Sequence, residues 1–423
     1  MSWRNLPIAV LLGAAACTTV PDAGVAGESW RSLFNGRDLS GWTRVNGLAP
    51  FVAEDGEIVG TSVADGPNSF LATEETFGDF VLELESRADA PANTGIQFRT
   101  VLAPQYRSGL TGYQLEIDLS DRNWTGGIYI EGENRFVQPP LNNPACKAAY
   151  VPGSWNRLRI EAHKQTLRTF VNGASCGNLV DPTYSQGFIA LQVHAPPGSP
   201  AGTRVHWRDI RIKTAGLEGE WSVSSANEES YLVNALTDRE RREGWLLLFD
   251  GVSGSSWHVT EGAQGVFVAD RALILSAGQA VEIQAPDNNF ELVFDARLSA
   301  GSAGMVRYGP QTTNAFQLFD DPLPAVANES QTALMLGALK GRMAPQNLSE
   351  PRRTKRYNGP GTWTRGRIVV RGGRVEHWLN SVKVVEYDLA APTSERPETA
   401  GDLRLEVEAG QVAFRSLKYR PIN

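Results

Sequence analysis

Residues 113–119 read Tyr113-Gln114-Leu115-Glu116-Ile117-Asp118-Leu119. Apolar and polar side chains alternate without a break. Successive side chains of a strand point to opposite faces, so this period of two describes a strand with one apolar and one polar face. The same pattern recurs on both sides of it. In Phe80 to Arg87, Phe80, Leu82 and Leu84 share the apolar face, while Glu83, Glu85 and Arg87 share the other. Gln97 and Arg99 alternate with Ile96 and Phe98, and Tyr129 and Glu131 with Ile128 and Ile130. Gln192 and His194 alternate with Leu191 and Val193. Short alternating runs of this kind, punctuated by Gly, Pro, Asn and Asp, predict an all-β fold of antiparallel sheets packed as a sandwich.

The chain also repeats itself. Leu33-Phe34-Asn35-Gly36, ending in Gly41-Trp42, returns as Leu248-Phe249-Asp250-Gly251, ending in Ser256-Trp257. Trp155-Asn156-Arg157 returns as Trp363-Thr364-Arg365. Val205-His206-Trp207-Arg208-Asp209-Ile210 returns as Val412-Ala413-Phe414-Arg415-Ser416-Leu417. The order is kept at an offset of roughly 210 residues, so one whole domain is duplicated and the chain is no short-repeat solenoid. Two tandem jelly-roll β-sandwiches follow, at 28–214 and 230–423, the second divergent, with 215–229 as the linker. Leu236 to Glu243 predicts a short helix capped by Thr237, with Glu240 at capping-box spacing. Trp42, Trp155, Trp257 and Trp363 recur at matching positions, which assigns them to core packing.

The 423 residues carry 40 Lys and Arg against 47 Asp and Glu, a net charge of −7. No basic field is available to neutralise phosphates, which argues against a nucleic-acid partner. Arg4, the apolar run Leu6 to Gly13 and then Ala14-Ala15-Ala16-Cys17 predict an export signal over 1–17. It resembles a bacterial lipoprotein signal, in which Cys17 is lipidated; a plain secretory signal cut near Ala16 is the other reading. The expected location is the bacterial cell envelope, periplasmic, with the membrane reached by the lipid anchor alone. In that oxidising compartment Cys146 and Cys176 are candidates for a disulfide.

The outward set Glu85, Gln97, Arg99, Gln114, Glu116, Asp118, Tyr129, Gln192 and His194 suits a polyhydroxylated ligand, which needs directional donors and acceptors. Trp124, in the Asp121-Arg122-Asn123-Trp124 loop, is a candidate stacking platform. The competing reading is a solvated polar face, as any antiparallel sheet has. The duplication supplies a control. With Gln114 aligned to Gln317, Tyr308 replaces Arg99, Phe319 replaces Glu116, and Glu406 and Glu408 replace Gln192 and His194. The first copy is therefore expected to carry the chemistry. Phosphate-loop, dinucleotide and zinc-protease motifs are absent from the sequence. A divalent metal held by His194 with Glu116 or Asp118 stays open.

Leu33 to Trp42, Asn93-Thr94-Gly95-Ile96-Gln97-Phe98-Arg99, Gly112 to Ile117, Gly126-Gly127-Ile128-Tyr129, Val171-Asn172-Gly173 and Gly187 to His194 together resemble the 3-keto-disaccharide hydrolase family, here as a tandem duplication. The resemblance implies a concanavalin-A-like jelly roll in an exported protein. It also implies action on 3-keto-glycosides, by hydrolysis or by elimination and rehydration. Under that chemistry His194 and Glu116 are the base and acid candidates. Arg99 and Gln192 are the partners of the enolate or hydroxyls, with a divalent metal able to replace Arg99. Family members often read Glu-x-Gln where this chain reads Gln114-Leu115-Glu116. A non-catalytic carbohydrate-binding envelope lipoprotein is the alternative.

Overall fold

A computed structural model describes residues 30–196, 198–252, 257–259, 267–284, 287, 289–309, 314–320, 335–343, 357, 359–388 and 403–422. The export segment, Cys17 and the side chain of Trp257 lie outside the described residues.

The first domain is a sandwich of two antiparallel sheets. One runs in the order Ala174–Val180, Thr166–Val171, Asn156–His163, Phe80–Ala88, Arg204–Lys213, Glu57–Thr61, Phe51–Glu54. The other runs Arg135–Gln138, Ile128–Glu131, Leu110–Asp118, Asn93–Leu102, Phe188–Val193, Ser69–Thr73, Trp42–Asn46. The apolar faces predicted by alternation meet between them. Leu82, Leu84, Ile96, Phe98, Leu115, Ile117, Leu158, Ile160 and Leu191 form one core, each such side chain contributing about 1.5–3 kcal/mol through its removal from water. The second domain repeats the plan. Its core joins Leu292, Phe294, Val306, Phe316, Ile368, Leu405 and Phe414. The fold is thus two tandem jelly-roll sandwiches, almost without helix.

The helix near the start of the second domain spans Asp238–Arg242, with Thr237 as N-cap and Glu240 closing the capping box. The 215–229 segment is not a loose tether. Arg168 donates to the Ser222 carbonyl, Ser222 N–H donates to Glu161, and Glu229–Ser230 adds a parallel strand beside Leu179–Val180.

The repeated tryptophans divide. Trp42 is buried and donates through Nε1 to the Leu33 carbonyl. Trp155 is only half-buried, and the guanidinium groups of Arg87 and Arg208 stand 4.8 and 4.0 Å from its ring centre. Arg297 and Arg415 stand at the same two distances, 4.8 and 4.0 Å, from the ring of Trp363. These two belong to a cation–π cluster and not to the main core of either sandwich, Trp363 packing against the separate small cluster of Ala272, Ile274 and Ala413, so the duplication preserved this device as well as a scaffold.

Candidate functional site

The outer face of the seven-stranded sheet is not a solvated one. Every residue of Leu110–Asp118 is buried on both faces of the strand. Gln114, Glu116, Asp118 and Gln192 are each less than 5% exposed, although all four are polar. They line a cleft of about 840 Å³ together with Asn93, Arg122, Trp124, Tyr129, Glu131, Phe136 and His194. Burying this many polar groups costs free energy unless they are paired, and most of them are paired with one another.

Register explains how they meet. Asn93 lies opposite Asp118, Gly95 opposite Glu116, and Gln97 opposite Gln114; Gln192 lies on the other side of Gly95. Gly95 therefore leaves a gap in the middle of the polar face, and Gln114 leans into it. A Cβ at Gly95 would stand 2.5 Å from Cδ of Gln114. Placed there, Gln114 accepts from Nε2 of Gln97 and donates to Oε2 of Glu116 at 2.5 Å. Asn93 Nδ2 donates to the other oxygen of Glu116 at 2.9 Å. Gln192 Nε2 donates to Glu131 at 3.3 Å, while its Oε1 is buried with no partner. Gln192 lines the cleft, so this acceptor is an unmet hydrogen bond in its wall.

The titratable groups are tuned by this burial. Loss of solvent lifts the Glu116 carboxyl to about 7, against the pull of Arg122 and with Asp118 adding to the rise. Burial, and then the neighbouring charge of Glu116, lift Glu131 to about 8. The two act as a coupled pair that retains protons near neutrality. Burial pushes His194 the other way, below its usual value. Its Nδ1 is 2.6 Å from the Ala195 carbonyl. A carbonyl only accepts, so Nδ1 carries the proton and Nε2 keeps a lone pair for the cleft. Asn68 fixes that backbone by accepting from Ala195 N–H.

Four expected site residues lie elsewhere or act differently. Glu85 belongs to the opposite sheet, where it pairs with Arg208 at 2.7 Å. Alternation identifies a face but not which sheet owns it. Arg99 is fully buried away from the cleft, donating to the carbonyls of Gly78 and Lys164 and to Asp79. The strand bulges between Phe98 and Val101, and Arg99 takes a positive φ of 47°, which breaks the period of two. Trp124 lines the cleft but is 6% exposed, with Phe136 edge-on to it at 4.7 Å and Arg122 over its ring at 4.6 Å; it is a support and not an exposed platform. Gln97 is buried behind Gln114. Tyr129 donates to Asn134 at the cleft wall.

The arginine of the cleft is Arg122. It reaches Asp118 at 2.6 Å and Glu116 at 3.5 Å. Asp118 is committed to building its loop, accepting from Ser120, Arg122 and Trp124. Among the described residues no three of His, Cys, Asp and Glu come together to hold a metal ion. His194, Glu116 and Asp118 therefore do not make the three-ligand metal group that was open on the sequence, and the cation of the cleft is the Arg122 guanidinium. Arg122, Asn93 and Glu131 were not among the expected site residues. Glu131 alone carried a signal, its place in the Tyr129–Glu131 alternation.

Cys146 and Cys176 form a disulfide. It lies under the loop that carries Arg122, since a Cβ at Gly126 would be 2.5 Å from Cys176 Sγ.

The second copy carries a different set, and strand register corrects the sequence alignment by two residues. Phe98 pairs with Tyr113 as Tyr308 pairs with Asn314, and Ile96 with Leu115 as Val306 with Phe316. Glu116 then corresponds to Gln317, Gln114 to Ala315, and Gly95 to Met305. Glu406 and Glu408 do replace Gln192 and His194, paired with Arg307 and Lys340. Tyr308 is a core residue whose hydroxyl meets His377 and Tyr387. The positions of Glu116 and His194 thus hold an amide, Gln317, and a carboxylate residue, Glu408, in place of the carboxyl and the imidazole.

The match to a family model agrees with a duplicated carbohydrate-active domain. A family model described as a 3-keto-alpha-glucoside-1,2-lyase-like domain matches residues 29–213 and again 244–420. Among solved structures, an inferred glycosyl hydrolase from Parabacteroides distasonis is 22% identical, with 45% of this chain and 100% of that one covered and a TM-score of 0.38. A carbohydrate-binding module from Bacillus subtilis is 15% identical over 41% of this chain and 95% of its own, at 0.29. A galectin-like protein of unknown function from the same species is 16% identical over 42% and 90%, at 0.34. No curated protein matches the chain.

Proposed function

The chain belongs to the 3-keto-alpha-glucoside-1,2-lyase-like family, and from that premise we propose that its first domain cleaves 3-keto-glycosides by β-elimination. The observation that carries this reading is the pairing, in one buried cleft, of a neutral imidazole with a carboxyl that keeps its proton near pH 7. A ketone at C3 acidifies the proton on C2. His194 Nε2 takes that proton, the C1–C2 double bond forms, and the C1–oxygen bond breaks. Glu116 supplies a proton to the departing oxygen, so an alcohol leaves and an unsaturated keto sugar remains. Arg122 and the partnerless Oε1 of Gln192 offer the enolate oxygen a cation and a neighbouring hydroxyl an acceptor. Addition of water across the double bond would complete a net hydrolysis. We place the protein in the bacterial periplasm, held by a lipid on Cys17.

The deciding assay incubates the full chain with 3-keto-trehalose. Release of glucose with appearance of the unsaturated keto sugar supports elimination. Binding without turnover leaves a carbohydrate-binding lipoprotein, and absence of binding rejects the sugar reading.

A further inference from the structure

The cleft of the first domain is not built by the first domain alone. Asn380 and Val382 line it too, and both belong to the second domain. They flank the turn that joins strands Arg374–Leu379 and Val382–Asp388. The corresponding turn of the first domain is Asn172-Gly173, whose glycine takes a φ of +85° and has open space around it. The second domain has Asn380-Ser381 there, and Ser381 holds a φ of +67°. A serine in the left-handed region is strained where glycine would not be. The Ser381 hydroxyl is directed at the Val137 carbonyl of the first domain, at 3.4 Å. Tyr231 donates to the same carbonyl, and Arg135 of one domain and Arg365 of the other stand over its ring at 5.4 and 3.8 Å. Arg365 is itself fixed by Asp295 and the Ser230 carbonyl. The turn is therefore held against the edge strand Arg135–Gln138.

That edge strand is four strand spacings from the strand leading to His194, or about 19 Å across the sheet. Resting on the reading that His194 and Glu116 act on the keto sugar, we infer that the second domain forms the far wall of the cleft. There Val382, with Phe136 and Tyr129, receives the leaving group, a second sugar ring. The duplicated copy that lacks the proton-transfer residues thus serves as a specificity element of the copy that has them.

The test compares kcat/KM of the full chain toward 3-keto-trehalose and toward methyl 3-keto-α-glucoside, whose leaving group is too short to reach Val382. Val382→Trp is expected to lose about tenfold more on the disaccharide than on the methyl glycoside. Val382→Ala is expected to narrow the wild-type preference between them. The methyl glycoside also reports whether each variant is folded. An equal change on both substrates, or no change on either, overturns the inference and leaves the elimination reading intact. A wild-type chain that turns over neither substrate overturns that reading and this inference with it.

Discussion

His194 Nδ1 stands 2.6 Å from the carbonyl oxygen of Ala195, and this one contact decides which ring nitrogen keeps a lone pair. The backbone carbonyl fixes the tautomer, burial disfavours the imidazolium, and Nε2 is left as a base. His194→Ala should reduce kcat by about 10²–10⁴-fold. The wild-type rate should fall on the acid side as the pH drops below 6.5 and through the depressed value of His194. Gly198 packs against the ring, and a Cβ there would lie 2.3 Å from Nδ1. Gly198→Ala should therefore lower kcat by turning the ring, with little change in KM. A pH–rate profile without an acid limb would remove His194 from the role of base.

The Glu116 carboxyl predicts the alkaline limb. If Glu116 is the acid, activity should decline as the pH rises through about 7. Stability should follow a linked course. The folded carboxyl keeps its proton to about pH 7 while the unfolded one releases it from 4.5, so the folded state loses stability as the pH rises across that window. Glu116→Gln should abolish turnover and yet stabilise the protein at pH 8, by an amount on the order of 3 kcal/mol. At pH 4 the two proteins should differ little. Denaturant titrations at both pH values check the sign.

Arg99 separates what was legible in the sequence from what was not. The sandwich, the duplication and the polar face through Gln114, Glu116 and Gln192 all follow from period-two alternation, because buried strands must keep register. Arg99 fits the same alternation but sits at a bulge, and a single residue in the left-handed region turns its side chain away from the cleft. Glu85 has the right parity but the wrong sheet. Arg122 and Asn93 lie where alternation gives no information, one in a loop and one at a strand start. Their partners, Asp118 and Glu116, become visible only once the loop is closed. Arg99→Met should leave kcat of the folded protein unchanged. It should also cost about 3 kcal/mol or more in stability, since the Gly78 and Lys164 carbonyls lose their donor.

The Cys146–Cys176 disulfide makes the last test, because it joins stability to the geometry of the cleft. It links residues 30 apart in sequence, which by chain entropy is worth about 3–4 kcal/mol. If it were only a staple, removing both cysteines would lower the melting temperature and leave kcat alone. Its position argues for more. Cys146 lies on the helix Pro144–Lys147, and Asn123 donates to the Lys147 carbonyl. Both sulfurs press on Gly126, within the same loop. Arg122 and Trp124 are carried between these two anchors, and Arg122 is the cation beside Glu116. Cys146→Ala/Cys176→Ala should therefore lower kcat at 25 °C, well below its melting range, and raise the alkaline limb as Glu116 loses the pull of Arg122. A double variant that melts early but keeps the wild-type pH–rate profile would show that the loop holds its arginine without the disulfide.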